Sequence, residues 1–370
     1  MLDAAAAGAR FRFPAPTPDP EAEALRARAR RFLTEARERG DFRPTADCWV
    51  SGADPAFSEK LGAAGLLGIT FPTEYGGHGR PPLHRHAVTE ELLAAGAPVA
   101  AHWVADRQSG GHILRFGTEA QKRGIVPRIA AGTCYFAIGM SEPQAGSDLA
   151  AVRTKAERTA TGWRLDGRKI WSTGAHISHY MIVLARTAPP EGRDRHKGLS
   201  QFLVDLSAPG VNVSGIKDLA GVVHFNETQV TTELAMERSG PERFLTVLAL
   251  LTEALEALRG RLDSRRAALL GRLLARLAAL RRMSRGVAQL LQEGEQPEVE
   301  AALVKDLGNR FEKEAVAGVR ELLSGLPRED WPAGLAMLLD ASVLALPSNS
   351  LRGGTTEVMR GIIARRLGMR

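Results

Sequence analysis

The hydrophobic period of this chain changes twice, and those changes limit the folds open to it. Up to about residue 131 the apolar residues recur at helical spacing. Segments 21–39, 55–64, 83–95, 100–116 and 119–131 read as helices, several of them closed by a glycine. From 135 to 216 the pattern becomes short runs of Val, Ile, Thr, Trp and Phe separated by Gly, Asp and Pro. There 135–140, 152–158, 162–166, 169–173, 180–187, 200–206 and 211–216 read as strands. Leu and Ala then return at helical spacing in 241–258, 263–292, 297–324 and 332–345, before a Gly-containing loop at 347–354 and a last helix at 355–367. Helices, then strands, then long helices is not an alternating βαβ pattern, so a doubly wound nucleotide-binding sheet is disfavoured. No GxGxxG or P-loop argues for one. The expectation is a multidomain α+β chain: an α-helical domain at 1–133, a β-barrel or sandwich domain at 134–230 and a four-helix bundle at 231–370.

Composition narrows the partners. The chain's 370 residues exceed one simple core, and 44% hydrophobic with 25% charged residues is ordinary for a globular protein. The formal charge of +7 comes from 49 Lys and Arg against 42 Asp and Glu, with the arginines spread along the helices. That reads as solvated helix faces with a bias toward a phosphate-bearing ligand; no dense basic tract with interleaved aromatics supports nucleic-acid binding. Cys48 and Cys134 show neither a disulfide framework nor metal spacing, so a reducing compartment and no metal are expected. No signal-peptide core and no apolar stretch of membrane-spanning length is present, which makes the cytoplasm the expected location.

The stretch from Tyr135 to Asp148 carries the most chemical information. An apolar run, Tyr135-Phe136-Ala137-Ile138-Gly139-Met140, breaks into Ser141-Glu142-Pro143-Gln144-Ala145-Gly146-Ser147-Asp148. Small hydroxyl residues and a glycine just past a buried strand can bring backbone N–H groups close to a flat or anionic ligand. The residues alone leave open a plain strand and tight turn.

Four motifs in order resemble those of the acyl-CoA dehydrogenases. Ser141 to Asp148 resembles the family's (T/S)-E-P-x-A-G-S-D, and Gly167-Arg168-Lys169-Ile170-Trp171-Ser172-Thr173-Gly174-Ala175 resembles G-x-K-x-W-(I/S)-(T/S)-x-(A/G). Gly353-Gly354-Thr355-Thr356-Glu357-Val358-Met359-Arg360 resembles the C-terminal G-G-T-x-E-x-x-R, and Pro72-Thr73-Glu74-Tyr75-Gly76-Gly77 the N-terminal P-x-x-Y-G-G. The resemblance covers essentially the whole chain. It implies an FAD enzyme that desaturates acyl-CoA thioesters at Cα–Cβ, a base taking the α-proton while a hydride leaves Cβ. It places Ser141 against the flavin ring, Thr173 near its N5, Trp171 beside it and the backbone from Ile138 to Met140 along it. Thr355 and Glu357 match flavin-contacting positions, Ser147 meets the CoA arm, and the Gly353 N–H faces the enolate oxygen. Each also has a local reading: Ser147 in a turn, Trp171 in a core, Thr355 as a helix cap.

The base is where the motifs diverge. Many members place a glutamate just before G-T in the C-terminal signature, where this chain has Gly353. Isovaleryl- and long-chain-type members instead use a glutamate followed by arginine on the first long C-terminal helix. Met236-Glu237-Arg238 stands there, so Glu237 is the expected base and Arg238 holds the CoA end or the carboxylate. A shifted alignment would choose Glu242 before Arg243, and glutamates at a helix start also suit the macrodipole without any catalysis. Members of the family continue after F-N-E with a further strand and a loop; here Phe225-Asn226-Glu227 leads almost directly into Thr231, so the resemblance implies a β domain that lacks a strand. R-x-x-F-G and Q-x-x-G-G segments that hold the FAD adenine in relatives are missing; Arg276, Arg281 and Arg282 could substitute or simply form a solvated face. Expected partners are an acyl-CoA, an electron-transfer flavoprotein or similar acceptor, and further copies in a homodimer, homotetramer or hetero-oligomer. The alternatives are a baseless subunit working beside an active one and a DNA-associated member of the alkylation response.

Overall fold

The computed structural model describes residues 11–160, 162–190, 194–217, 223–226, 242–351 and 354–369. In chain order the helices are α1 (Pro20–Glu38), α2 (Pro55–Ala63), α3 (Pro82–Ala94), α4 (Ala100–Val104), α5 (Gly110–Phe116), α6 (Glu119–Ala130), α7 (Val247–Ala257), α8 (Ser264–Gln292), α9 (Glu298–Leu322), α10 (Leu335–Asn349) and α11 (Thr356–Arg366). The strands are β1 (Phe136–Gly139), β2 (Lys155–Arg158), β3 (Trp163–Asp166), β4 (Tyr180–Arg186), β5 (Leu199–Asp205), β6 (Ser214–Lys217) and β7 (Val223–Asn226). They fall into two compact units, one taking 1–48, 80–97 and 240–370 and the other 49–79 and 98–239.

The first unit is helical. α1 starts where it does because the Asp19 carboxylate accepts the Ala22 N–H at 3.0 Å, Pro20 opens the first turn, and Glu21 and Glu23 face the positive end of the helix dipole. Asp263 caps α8 in the same way, accepting the Arg266 N–H at 2.7 Å. α9 buries Val304, Phe311, Ala315, Val319 and Leu322, and Phe311 meets Phe244 edge-on with ring centroids 6.4 Å apart. Glu90 on α3 is only 3% exposed and is held by Arg26 of α1 and Arg281 of α8, so one carboxylate joins three helices.

The second unit joins short helices to a sheet whose central strand is β4. β5 runs antiparallel along its whole length, Tyr180↔Asp205 to Arg186↔Leu199. β1 pairs with it in parallel, Phe136↔Tyr180 to Gly139↔Val183, and β2 joins in parallel at Lys155↔Arg186 before turning into a hairpin with β3. β4 is therefore buried on both faces, and its Met181-Ile182-Val183-Leu184-Ala185 run reads as continuous apolar sequence rather than an alternation. β6 and β7 form a separate antiparallel pair, Ser214↔Asn226 to Lys217↔Val223.

Several expectations need correction. Residues 169–173 are not a strand: they form irregular chain between β3 and β4. Ile170, Trp171 and Thr173 suit a strand, but Lys169 is turned inward and Trp171 takes a left-handed backbone, which no ladder accepts. Val223–Asn226 is a strand that the sequence reading passed over. Residues 227–241, where the shortened join was expected, lie outside the described residues. The helix expected over 100–116 is interrupted by a π-helical turn at Ala105–Ser109, and α10 runs through Pro347 to Asn349 instead of ending before it. Among the described residues no helix is long and apolar enough to cross a membrane.

Candidate active site

The 135–148 stretch folds as a strand end and a clamped loop. After β1 the chain leaves the sheet at Met140-Ser141, and Glu142 and Ala145 exchange backbone hydrogen bonds at 2.8 and 3.0 Å. The Glu142 side chain then turns inward, 5% exposed. Its Oε1 accepts the Thr154 N–H at 2.9 Å, the Thr154 hydroxyl at 2.6 Å and the Lys169 ammonium at 2.8 Å. Its Oε2 accepts the Arg153 N–H at 2.7 Å and the Gln144 amide at 2.6 Å. Burial alone would raise this carboxyl, but those bonds overcome it and hold the pKa down to about 2.

Lys169 is 1% exposed, and its Nζ also donates to the Met140 carbonyl at 3.1 Å. Two glycines allow close approaches here, one to Lys169 and one to Thr154. A Cβ on Gly139 would stand 3.2 Å from Lys169 Cγ and 2.9 Å from Met181 Cε, so a side chain there would crowd the lysine stem as it crosses the strand end. A Cβ on Gly167 would fall 2.3 Å from the Thr154 hydroxyl and 2.6 Å from its Cα. Thus the glycine and lysine of G-x-K-x-W serve a close approach to Thr154 and the buried Glu142.

The two motif segments run side by side. The Ile170 N–H donates to the Ser141 carbonyl at 2.9 Å. Next to it Trp171 has φ of 62° and leaves 53% of its surface exposed. A left-handed backbone costs a residue with a Cβ roughly 1–2 kcal/mol. The Thr173 N–H closes the turn onto the Trp171 carbonyl at 3.0 Å. Ser172, 1% exposed, has a hydroxyl without a hydrogen-bond partner. Ile138, Met140, Ser141 and Thr173 are half-buried, and Ser147 is exposed on the loop beyond Ser141. A braced indole offered to solvent beside short hydroxyl side chains fits a flat ring with polar edges.

In the helical unit the C-terminal signature is anchored by Lys305, which donates to the Gly354 carbonyl at 2.7 Å. Thr355 caps α11, its hydroxyl accepting the Val358 N–H at 3.3 Å, so its local reading holds whatever else it does. Glu357 is exposed in the first turn, its carboxyl held below the usual range by its own N–H and by Thr355. Glu237, Arg238 and Gly353 lie outside the described residues. Glu242 is buried just before the turn at Arg243–Thr246. Two arginines considered for the FAD adenine are committed elsewhere: Arg276 pairs with Glu314 and Arg281 with Glu90. The sequence reading missed Glu142, Lys169 and Thr154. The available signal was a carboxylate in one motif segment and a lysine in the other, 27 positions apart.

Three family models match the chain in succession: acyl-CoA dehydrogenase N-terminal domain at 19–133, middle domain at 137–237 and C-terminal domain at 232–368. Together they trace a helical part, a sheet part carrying the interlocked segments, and a second helical part. The chain belongs to the acyl-CoA dehydrogenase family. It is 42% identical over 172 residues to acyl-CoA dehydrogenase IpdE1 of Mycobacterium tuberculosis, covering 46% of this chain and 44% of that one. Among solved structures, "Tcur3481-Tcur3483 steroid ACAD" is similar at a TM-score of 0.81 and 25% identity, over 96% of this chain and 99% of that one. The ChsE4-ChsE5 complex from Mycobacterium tuberculosis is similar at 0.78 and 26%, over 96% and 99%. The matches span between 40% and 50% of the length of the first curated relatives. The cofactor that goes with this family is FAD.

Proposed function

We propose that the chain is an FAD-dependent acyl-CoA dehydrogenase that introduces a Cα–Cβ double bond into an acyl-CoA thioester. The observation that carries this reading is the wall made by Ser141 and Trp171, joined through the Ile170 N–H at 2.9 Å. Bound FAD would supply the acceptor for the β-hydride. Ser141 and Thr173 would bond the polar edge of the ring, Trp171 would flank it, and the backbone from Ile138 to Met140 would run beside it. Thr355 and Glu357 would contribute from the C-terminal signature, and Ser147 would meet the CoA arm. Glu237 would take the α-proton, which requires a carboxyl raised by burial toward neutral pH. Arg238 would hold the CoA end or that carboxylate. The Gly353 N–H would donate to the thioester oxygen as negative charge gathers there. These last three roles rest on motif position. An electron-transfer flavoprotein or a similar acceptor would remove the electrons, and the chain would act as a homodimer or homotetramer.

The test is the visible spectrum of the purified protein titrated anaerobically with a panel of acyl-CoAs. Bleaching of bound flavin that disappears in Glu237→Gln is the expected result. A yellow protein that no acyl-CoA bleaches would overturn the dehydrogenase reading. A second reading, a subunit that needs a different chain of the same fold, is favoured by structural relatives described as pairs of differently named chains. Bleaching that is absent alone and restored by a co-expressed family member would support it.

A further inference from the structure

Glu142 and Lys169 each stand within two residues of a group that would face the flavin: Glu142 follows Ser141, and Lys169 precedes Ile170-Trp171. Three links join the two segments at this level. Lys169 reaches the Met140 carbonyl at 3.1 Å and Glu142 at 2.8 Å, and the Ile170 N–H reaches the Ser141 carbonyl at 2.9 Å. Behind them Glu142 is bonded to the backbone N–H groups of Arg153 and Thr154, which lead into β2. The loop that carries Ser141 is therefore locked to the sheet and to the turn that carries Trp171 by one buried ion pair.

The lock has a load to bear. Trp171 is exposed and left-handed between two residues, Lys169 and Ser172, that are each 1% exposed. A residue with a Cβ held in a left-handed backbone persists only where its surroundings over-determine it. A buried ion pair adds little net stability over an apolar pair of the same shape, so stability alone does not account for one here. We infer that the Glu142–Lys169 pair is a positioning device for the flavin, holding Ser141 and Trp171 in one wall and keeping Trp171 in its solvent-facing, left-handed conformation. The inference rests on the FAD reading above and deepens it.

The test uses the full chain loaded with FAD, comparing wild type, Lys169→Met, Glu142→Gln and the double variant. The readouts are the FAD dissociation constant and the shape of the bound flavin's visible bands. Each single variant is expected to weaken FAD at least ten-fold and to move the bands toward those of free FAD, with the double variant showing much less than the product of the two effects. A pair that serves stability alone would lower the melting temperature while folded variants bind FAD within two-fold of wild type with unchanged bands, and that result would overturn the inference. Should the single variants fail to fold, Thr154→Val removes one donor to the same carboxylate oxygen. It is expected to weaken FAD about three-fold, and unchanged affinity and bands would again overturn the inference. Wild type that cannot take up FAD would sink the FAD reading itself. Wild type that binds FAD and is bleached by acyl-CoA, with variants that bind FAD equally well, would sink the positioning role alone.

Discussion

Glu90 in the helical unit and Glu142 in the sheet unit carry the same electrostatic signature. They are 3% and 5% exposed, both pair with cations, and both are held down to about 2 against the effect of burial. Their surroundings differ. Glu90 meets arginine side chains from α1 and α8, and everything near it is helix packed on helix. Glu142 meets two backbone N–H groups, a hydroxyl, an amide and one lysine, and it lies one residue from an open wall. A displaced pKa therefore marks a buried, well-bonded charge and not a site. What separates the two is what each carboxylate holds still: three helices in one case, two ligand-facing segments in the other.

The sharpest way to break that comparison is Glu90→Gln. It takes from the buried Arg26 guanidinium its most buried carboxylate partner while Glu23 and Glu91 stay beside it, so the expected cost is below the roughly 3–5 kcal/mol of a fully broken buried pair. A large fall in the urea midpoint with FAD affinity within two-fold of wild type is expected. If Glu90→Gln weakens FAD as strongly as Glu142→Gln, the division between a structural and a positioning carboxylate fails.

Acid unfolding should treat the two alike. Each folded pKa is about 2, below the ordinary 4.5, so each contribution is fully present above about pH 4.5 and is lost as pH falls toward 2. The shift corresponds to at most about 3 kcal/mol per group. Stability measured from pH 5.5 to 2 should therefore fall steeply in wild type and less steeply in either glutamine variant. A glutamine variant with the wild-type slope would show that its carboxylate is not the group being titrated.

The pattern of legibility follows the same line. Helix positions were readable because the apolar stripes act locally; the caps Asp19 and Asp263, equally local, fix the starts that spacing alone gave only roughly. The motif residues Ser141, Trp171 and Thr173 were singled out only through resemblance, and the structure brings the first two segments together through Ile170. The strand expected at 169–173 was misread because composition cannot report that Lys169 turns inward, toward Glu142 27 positions away, or that Trp171 is left-handed. Arg281 could not be told from a solvated helix residue without knowing that Glu90 would arrive beside it. Partners chosen by tertiary packing leave no mark on local periodicity.

Trp171→Gly tests whether the open wall holds strain that the Glu90 region lacks. Glycine removes the left-handed penalty of about 1–2 kcal/mol but adds backbone entropy to the unfolded chain, so a net gain of up to about 1 kcal/mol is expected. The same change deletes the exposed indole and should weaken FAD about ten-fold, an indole–ring contact being worth about 1 kcal/mol or somewhat more. Higher stability with lower affinity is the predicted pairing. Loss of stability on Trp171→Gly would mean that the indole is held by packing and the wall carries no strain.

Ser172→Ala should give the smallest effect. The Ser172 hydroxyl is buried without a partner, whereas Ser58, equally buried in the same unit, meets the His102 imidazole at 2.8 Å. Deleting an unsatisfied hydroxyl removes a desolvation cost, so Ser172→Ala should stabilise by about 1 kcal/mol. Ser58→Ala should destabilise by a similar amount because it strands the ring nitrogen. Opposite signs in urea midpoints would place a second local cost beside Trp171, one residue along the same turn. Equal signs would mean that the burden near the wall is confined to the tryptophan backbone, and the Glu142–Lys169 lock would then have a single strained residue to restrain.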